Sequence, residues 1–307
     1  MNARVVVAPR VARTLASHDA VVALETTVVT HGLPIGEGVR VALEMEAAIE
    51  RSGAIPASIG VLDGAVRVGL PNAELQRLAA SSAVEKLNLG NLAAAVAAGR
   101  SGSTTVAATI FIAARAGIEV FATGGIGGVH RGASASDDVS ADLTALSRWP
   151  VAVVCAGAKA VLDLPRTIER LETLGVPVLG LRTDRFPAFY RREGGACVDA
   201  RFDDIAALAA AVRAHFSLEL GTGVVVANPV PAEHEMPATL YEQALEGALA
   251  DAAARGVAGR DVTPFLLERM RERTGGLSVA VNRALLIHNA RVAAELAVAL
   301  AGGHGAR

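Results

Sequence analysis

The sequence is poor in several residue types, and each scarcity excludes a class of protein. Only two of the 307 residues are cysteines, Cys155 and Cys197, which provide neither a disulfide framework nor the spacing of zinc ligands. Aromatic residues make up 3% and hydrophobic residues 52%, so the core must consist mainly of small and branched aliphatic side chains. The formal net charge of −2 favours neither nucleic acid nor an anionic membrane as a partner.

Long apolar runs are also missing. Arginines interrupt the apolar stretches near the N-terminus, which therefore lacks the apolar core of a signal peptide. No uncharged apolar run reaches the roughly 18 residues that a membrane span requires. We therefore expect a cytoplasmic protein that does not associate with membranes.

Short β-branched runs alternate with helical patterns through most of the chain, and this alternation predicts the fold class. Strands are predicted at 21–29, 57–62, 118–122, 151–156, 176–181 and 223–228, and helices at 36–51, 73–80, 105–116, 163–174 and 205–216. After residue 238 only helices are predicted, at 240–255, 263–273 and 279–301. The pattern predicts one domain, residues 1–307, with a three-layer α/β/α fold, a largely parallel or mixed sheet and a helical C-terminal layer.

The most unusual segment follows the strand predicted at 118–122. Four glycines fall within residues 124–128, which indicates a backbone that approaches a ligand closely or adopts positive φ. A tight, mobile loop would have the same composition. The dinucleotide fingerprint GxGxxG is excluded because His130 occupies its third glycine position, and the chain contains no P-loop motif.

A second polar segment, residues 137–143, contains closely spaced carboxylates. If a helix begins at Asp138, then Asp138 and Asp142 share one face, and their repulsion calls for a compensating cation. Carboxylate and hydroxyl oxygens suit Mg²⁺ or Mn²⁺. A solvated first helical turn, where acidic residues suit the helix dipole, would have the same sequence.

Lys159 follows the apolar run at 151–156, at the carboxyl end of a predicted buried strand. Open α/β sheets bind their ligands at that edge, and partial desolvation there favours a neutral amine that can attack a carbonyl. The chain has only one other lysine, Lys86, and arginine cannot carry out this chemistry. A surface lysine at a strand end is the structural alternative.

Four further positions are candidates for a role in the site. Glu25 interrupts the strand predicted at 21–29, so its carboxylate is either bonded structurally or a tuned acid. Thr105 precedes a predicted helix, where its hydroxyl can cap the helix and the free amides can hold a phosphate. His31 and His130 have no partner at ligand spacing, which favours structural or substrate-shaping roles.

These motifs together resemble the pseudouridine-5′-phosphate glycosidase family, which includes proteins associated with indigoidine pigment biosynthesis. The resemblance extends from Val21 to about Ala294. It rests on the blocks VALETT 22–27, THG 30–32, ATGGIGGVHRG 122–132, DVSADL 138–143, VCAGAK 154–159, AFY 188–190, VANPVP 226–231 and TPFLL 263–267.

The resemblance implies reversible cleavage of pseudouridine 5′-phosphate to uracil and ribose 5-phosphate, with small-molecule partners only and a homotrimeric assembly. It places the nucleophile at Lys159, the proton donor at Glu25 and a manganese ligand at Asp138. The implied substrate contacts are Lys86, Val106, Ser140, Ala141, Asp142 and Asn289, and the helix start described above adds Thr105 as a further candidate. In one departure from the family, the basic residues expected after the matching lysine are replaced here by LNLGN 87–91.

A carbon–carbon glycosidic bond has no leaving oxygen or nitrogen to protonate, so the paired-carboxylate route of ordinary glycosidases does not apply. A workable route protonates the ribose ring oxygen, opens the ring and adds an amine to the first sugar carbon. Two alternatives stay open from the residues alone: a Schiff-base sugar-phosphate aldolase or lyase, and a non-catalytic sugar-phosphate binding protein.

Overall fold

The computed structural model describes residues 5–33, 36–257 and 262–303. Within these ranges eleven strands form one mixed sheet with the order β1-β4-β3-β2-β7-β8-β11-β9-β10, and β5 and β6 branch from β3. The strands are β1 Val5–Val7, β2 Val21–Glu25, β3 Ile55–Leu62, β4 Ala65–Val68, β5 Glu85–Leu87, β6 Gly102–Thr104, β7 Val120–Ala122, β8 Ala152–Cys155, β9 Val178–Leu181, β10 Ala200–Phe202 and β11 Val224–Ala227.

Helices connect and cover these strands. They are α1 Pro9–Ala16, α2 Thr27–Thr30, α3 Glu37–Arg51, α4 Asn72–Ala80, α5 Leu92–Ala97, α6 Val106–Ala116, α7 Ala133–Ser136, α8 Ala141–Leu146, α9 Leu164–Thr173, α10 Ile205–Ser217, α11 Ala238–Ala254, α12 Val262–Arg273 and α13 Leu277–Ala301. From β3 to β10 in the sheet order, each strand runs parallel to the next, whereas β4 and β6 pair antiparallel with β3. The predicted α/β class with a largely parallel, mixed sheet is confirmed.

The strand predicted at 21–29 is shorter than expected. Strand β2 ends at Glu25, and the next residues turn into the short helix α2. The Thr26 hydroxyl donates to the Ile59 carbonyl at 2.7 Å and accepts from the Thr104 amide at 3.0 Å. Strand β6 therefore pairs with β3 beyond the point where β2 ends. The apolar, β-branched sequence of 21–29 does not by itself indicate where one neighbour of β3 replaces the other.

The predicted helical C-terminal layer is present, and α13 is its central helix. It packs on β2, β7 and β8 and against α3 and α10. By length and composition α13 could cross a membrane, with a mean hydropathy of 1.4, but 56% of that apolar window is buried inside the protein. Its packing is that of the core helix of a folded domain.

Candidate active site

A cavity of about 830 Å³ opens at the carboxyl edge of the sheet. The chain segments that follow β2, β7 and β8 all contribute to its wall, because parallel neighbouring strands end on the same side. All of the site residues predicted from the sequence line this cavity except Asn289. Those that line it are Glu25, Lys86, Thr105, Val106, Asp138, Ser140, Ala141, Asp142 and Lys159.

Glu25 is the last residue of β2, and its carboxylate is held at both oxygens. The Thr123 hydroxyl donates to Oε1 at 2.5 Å, and the Thr27 hydroxyl donates to Oε2. The residue is 9% exposed, so these bonds replace water on a carboxylate that would otherwise be costly to bury. A hydroxyl can both donate and accept, so the same two partners can serve the ionised and the protonated carboxyl group.

Lys159 lies four residues beyond the end of β8, whose residues are fully buried. Its backbone amide donates to the Ile126 carbonyl at 3.0 Å, and the Ile126 amide donates to the Gly157 carbonyl at 3.0 Å. The half-buried Lys159 side chain lines the cavity. The prediction of a lysine at the carboxyl end of a buried strand is confirmed.

The glycine-rich segment is buried and bonded into the strand ends. The Thr123 amide donates to the Val154 carbonyl, and the Ala156 amide donates to the Gly124 carbonyl. A Cβ at Gly127 would lie 2.2 Å from the Ser140 hydroxyl oxygen. These glycines therefore allow the segment to pack closely against neighbouring residues of the cavity wall. None of the four has a positive φ, so close packing rather than backbone conformation explains them. The alternative of a merely mobile loop does not fit.

Asp142 joins two parts of the cavity wall. Its Oδ1 accepts from the Ala107 amide at 2.8 Å, and its Oδ2 accepts from the Gly127 amide at 2.7 Å. The expected pairing of Asp138 and Asp142 on one helical face is wrong, because α8 begins at Ala141 with Ser140 as its N-cap. Asp142 is 5% exposed and its charge is satisfied by two amides rather than by a neighbouring cation.

The start of α6 confirms the capping prediction and limits the anion site. The Thr105 hydroxyl accepts from the Ala108 amide, and Asp142 already takes the Ala107 amide. The Val106 amide is therefore the first-turn amide that remains to bind an anion in the cavity. The exposed Lys86 on β5 pairs in register with Ser103 on β6, which brings the lysine to this end of the cavity.

The pKa values of two cavity histidines are lowered mainly by burial and, to a smaller extent, by the positive charge of the lysines. Burial, and secondarily the Lys86 ammonium, lowers the pKa of His31 below its usual range. The pKa of His130 is lowered mainly by burial, with the neighbouring Asp138 opposing the shift and Lys159 and Lys86 adding to it. Both imidazoles are therefore neutral at pH 7, and the two lysines of the chain act on the same imidazole.

The donor set near Asp138 suits a hydrated cation better than a closed metal cage. In the part of the chain that the structure describes, no group of three or more His, Cys, Asp or Glu side chains converges on one point. Asp138 is half-buried at the cavity wall, with its Oδ2 3.8 Å from the His130 Nδ1. A single carboxylate supplemented by water is a usual environment for Mg²⁺-like ions, so the residues fit such a site.

Asn289, an expected substrate contact, lies behind the cavity wall. It is fully buried and donates to the Thr123 carbonyl at 2.8 Å. Asn282, about two turns earlier on α13, lines the cavity instead.

Several cavity residues were given no role from the sequence, although most of them lie in the blocks that carry the resemblance. These are the hydroxyl partners of Glu25, the aromatic Phe189, and the α12 and α13 residues Thr263, Pro264, Leu267 and Leu286. Thr123 carried a usable signal, because it is the first residue after β7 and so falls beside the end of β2. The α12 residues belong to the block at 263–267, but their place in the cavity depends on how the C-terminal helices pack.

A buried carboxylate and a half-buried lysine in one cavity at the carboxyl edge of a parallel sheet define an α/β enzyme that acts on a small molecule. The family model described as indigoidine synthase A like protein matches residues 10–299. The chain belongs to this family.

Named relatives and solved structures are similar over nearly the whole chain. A pseudouridine-5′-phosphate glycosidase of Methylobacterium nodulans is 54% identical over 96% of this chain and 88% of its own, and one of Paracoccus denitrificans is 50% identical over 97% and 98%. The crystal structure of a prealnumycin C-glycosynthase in complex with ribulose 5-phosphate matches with a TM-score of 0.92 and 37% identity, covering 100% of both chains. An indigoidine synthase A-like protein of Thermotoga maritima matches with a TM-score of 0.88 and 36% identity over 98% of both chains.

Proposed function

We propose that this protein is a pseudouridine-5′-phosphate glycosidase, which reversibly cleaves the carbon–carbon glycosidic bond of pseudouridine 5′-phosphate to uracil and ribose 5-phosphate. The observation that carries the proposal is the presence of Glu25 and Lys159 in one cavity, on two strand ends separated only by β7. Relatives that are 50% and 54% identical bear this activity in their names. Each chemical role requires a group that the cavity contains.

Glu25 supplies the proton that opens the sugar ring. The carboxyl group protonates the ribose ring oxygen, so the bond between that oxygen and the first sugar carbon can break without forming an alkoxide. The hydroxyls of Thr27 and Thr123 keep the carboxyl group in one orientation before and after the transfer.

Lys159 supplies the nucleophile. Its neutral amine adds to the first sugar carbon, the carbon–carbon bond breaks, and the bond's electron pair passes to the uracil ring, which then takes up a proton. The sugar remains attached to the lysine as a protonated imine. Water hydrolyses the imine, which frees ribose 5-phosphate and regenerates the amine.

Asp138 is proposed to hold a divalent cation, with Mn²⁺ as the best candidate. The cation would order water near the departing base. This role rests on the half-buried carboxylate at the cavity wall and on the resemblance to the family.

Chelation should therefore lower uracil release, and Mn²⁺ should restore it. We expect Asp138→Asn to weaken Mn²⁺ binding in calorimetric titration, because an amide oxygen is a poorer ligand than a carboxylate. Asp163→Asn provides a control, since that carboxylate caps α9. Unchanged turnover in metal-free protein, with metal absence established by elemental analysis, would contradict the proposal.

The substrate phosphate should supply much of the binding energy that orients the reacting sugar. Lys86 and the Val106 amide are the groups proposed to hold it, and two charge-assisted contacts are worth roughly 10²-fold or more. Unphosphorylated pseudouridine should thus show a kcat/KM lower by at least that factor. Lys86→Gln should slow the phosphorylated substrate far more than the unphosphorylated one. Equal losses on both compounds would place the phosphate elsewhere.

The activity itself is tested by incubating the purified protein with pseudouridine 5′-phosphate and measuring uracil and ribose 5-phosphate together. Both products should appear in equal amounts, and mixing the two should re-form the substrate. A Schiff-base aldolase would release no uracil, and a binding protein would release neither product. Either result would overturn the proposal.

A second candidate is synthesis of a C-glycoside on an aromatic acceptor other than uracil. The favouring observation is the similarity to the prealnumycin C-glycosynthase structure, which is complexed with ribulose 5-phosphate. The same imine of Lys159 would then be attacked by a carbon nucleophile. Competition between uracil and larger aromatic acceptors for ribose 5-phosphate distinguishes the two functions.

A cytoplasmic location and a homotrimeric assembly complete the proposal. The first rests on the interrupted apolar stretches of the sequence and the second on the resemblance to the family. Light scattering of the purified protein tests the assembly, and a mass other than three times 31.3 kDa would refute it.

A further inference from the structure

A network of side-chain amides stands behind the catalytic carboxylate. The Asn289 side-chain amide donates to the Thr123 carbonyl at 2.8 Å and, at 3.4 Å, approaches the Gly124 carbonyl. The Asn289 carbonyl oxygen accepts from the Asn228 side-chain amide at 2.8 Å. Both asparagines are buried, so each of these bonds replaces one that water would otherwise make.

This network connects five elements of the fold: β11, β8, α13, β7 and β2. Asn228 follows β11 and is anchored through its backbone amide to the Cys155 carbonyl at the end of β8, at 2.9 Å. Asn289 comes from α13, and the carbonyl it holds belongs to the first residue after β7. The hydroxyl of that residue, Thr123, is the donor to Glu25 at the end of β2.

We propose that Asn289 is a positioning residue for Glu25, acting through Thr123: it fixes the backbone from which the Thr123 hydroxyl holds the carboxyl group toward the sugar ring. The inference rests on the proposed function and assigns Asn289 a different role from substrate contact. Asn289 does not line the cavity, whereas Thr123 and Glu25 do.

An asparagine is required here by geometry. The site needs a donor toward the Thr123 carbonyl and an acceptor toward Asn228 on one short, planar group. Aspartate has no donor and would place a charge against two carbonyls, and glutamine is one methylene too long for a fully buried position. The approach of the His288 Nδ1 to the Asn228 amide, at 3.4 Å, extends the network, and burial followed by Arg291 lowers the pKa of His288 to about 4, which keeps this imidazole neutral.

Asn289→Leu tests the proposal by separating kcat from KM. We expect kcat for uracil release to fall on the order of 10²-fold, because small displacements of a catalytic group have effects of this size. The KM should stay within about threefold, since the cavity lining is unchanged. Thr123→Val should reproduce the fall in kcat and Thr123→Ser should largely restore it, because only serine retains the hydroxyl.

Ser58→Ala is a matched control. The Ser58 hydroxyl also donates to a carboxylate in the protein interior, that of Glu46, at 2.6 Å, but neither residue lines the cavity. This variant should keep normal turnover. Borohydride trapping of ribose 5-phosphate should persist in the Asn289 and Thr123 variants, because the cyclic hemiacetal of this free sugar opens spontaneously in water and does not need Glu25.

The decisive measurement repeats Asn289→Leu in a Glu25→Gln background. If Asn289 acts through Glu25, the second substitution should cost less than about threefold further in kcat. The proposal is overturned if the double variant loses kcat by the product of the two separate losses. A large rise in KM in the Asn289→Leu single variant would also overturn it. If the Asn289→Leu variant does not fold, the same double-mutant cycle is measured with Asn228→Ala. This substitution removes only the donor to the Asn289 side-chain oxygen. Absence of uracil release by the unsubstituted protein would instead refute the proposed function.

Discussion

Replacing Lys159 with alanine should abolish uracil release from pseudouridine 5′-phosphate while leaving the fold intact. The side chain is half-buried at the cavity wall, so its loss creates no core cavity, whereas the reaction loses its only covalent attachment point for the sugar. Arginine cannot replace it, because a guanidinium stays protonated and forms no imine. Steady-state assays of Lys159→Ala and Lys159→Arg, beside thermal denaturation, measure the effect.

Trapping identifies the residue directly. Borohydride added with ribose 5-phosphate reduces an imine to a stable secondary amine, and peptide mapping should find that adduct on Lys159. The matched control is Lys86, the other lysine of the chain, whose replacement should weaken phosphate binding but leave the adduct in place. An adduct found only on Lys86, or an active Lys159→Ala variant, would remove Lys159 from the mechanism.

Replacing Glu25 with glutamine should lower kcat on the order of 10²-fold or more. The amide keeps the shape of the carboxyl group and can still accept a hydrogen bond from Thr27 or Thr123, so binding and folding should change little. It cannot deliver a proton to the ring oxygen. The expected result is thus a large fall in kcat at nearly constant KM.

Glu46→Gln controls for the removal of a buried carboxylate. Burial raises the pKa of Glu46, its carboxylate accepts from the Ser58 hydroxyl, and it lies outside the cavity. Its replacement should leave turnover unchanged. Near-normal turnover in Glu25→Gln would make Glu25 a structural carboxylate and place the acid at another group.

The two substitutions remove groups that the protein positions in different ways. Lys159 is placed by backbone hydrogen bonds between the segment after β8 and the glycine-rich segment, independently of its side chain. Glu25 is held by the hydroxyls of Thr27 and Thr123, and the buried side-chain amide of Asn289 donates to the backbone carbonyl of Thr123. Substitutions behind the cavity should therefore lower the rate of ring opening more than the rate of imine formation.

The parts of the site that follow strands directly were predictable from the sequence. A short, continuous apolar and β-branched run such as 151–156 is typical of a strand buried on both faces, and parallel strands place the residues after them at one edge. Lys159 and the glycine-rich segment were located in this way. Thr105 was likewise recognisable as a helix cap, because capping depends only on neighbouring residues.

Contacts between distant segments were not predictable. Asp142 was expected to repel Asp138 on a helix, yet it binds the amides of Ala107 and Gly127, which are 35 and 15 residues away. The end of β2 at Glu25 depends on Thr26 meeting Ile59 and Thr104, and no local preference encodes that meeting.

By itself, then, the sequence determined the class of fold, the family, and the edge of the sheet where Lys159 lies, because strand periodicity and motif residues are properties of short segments. Only the tertiary structure decided which polar groups satisfy one another. Asn289 shows the reason: its amide has both donors and an acceptor, and whether these reach a substrate or the Thr123 carbonyl depends on the rotation and depth of α13 against β7. Such packing is set by the whole core at once, and it places Asn289 behind the cavity wall, bonded to the Thr123 carbonyl.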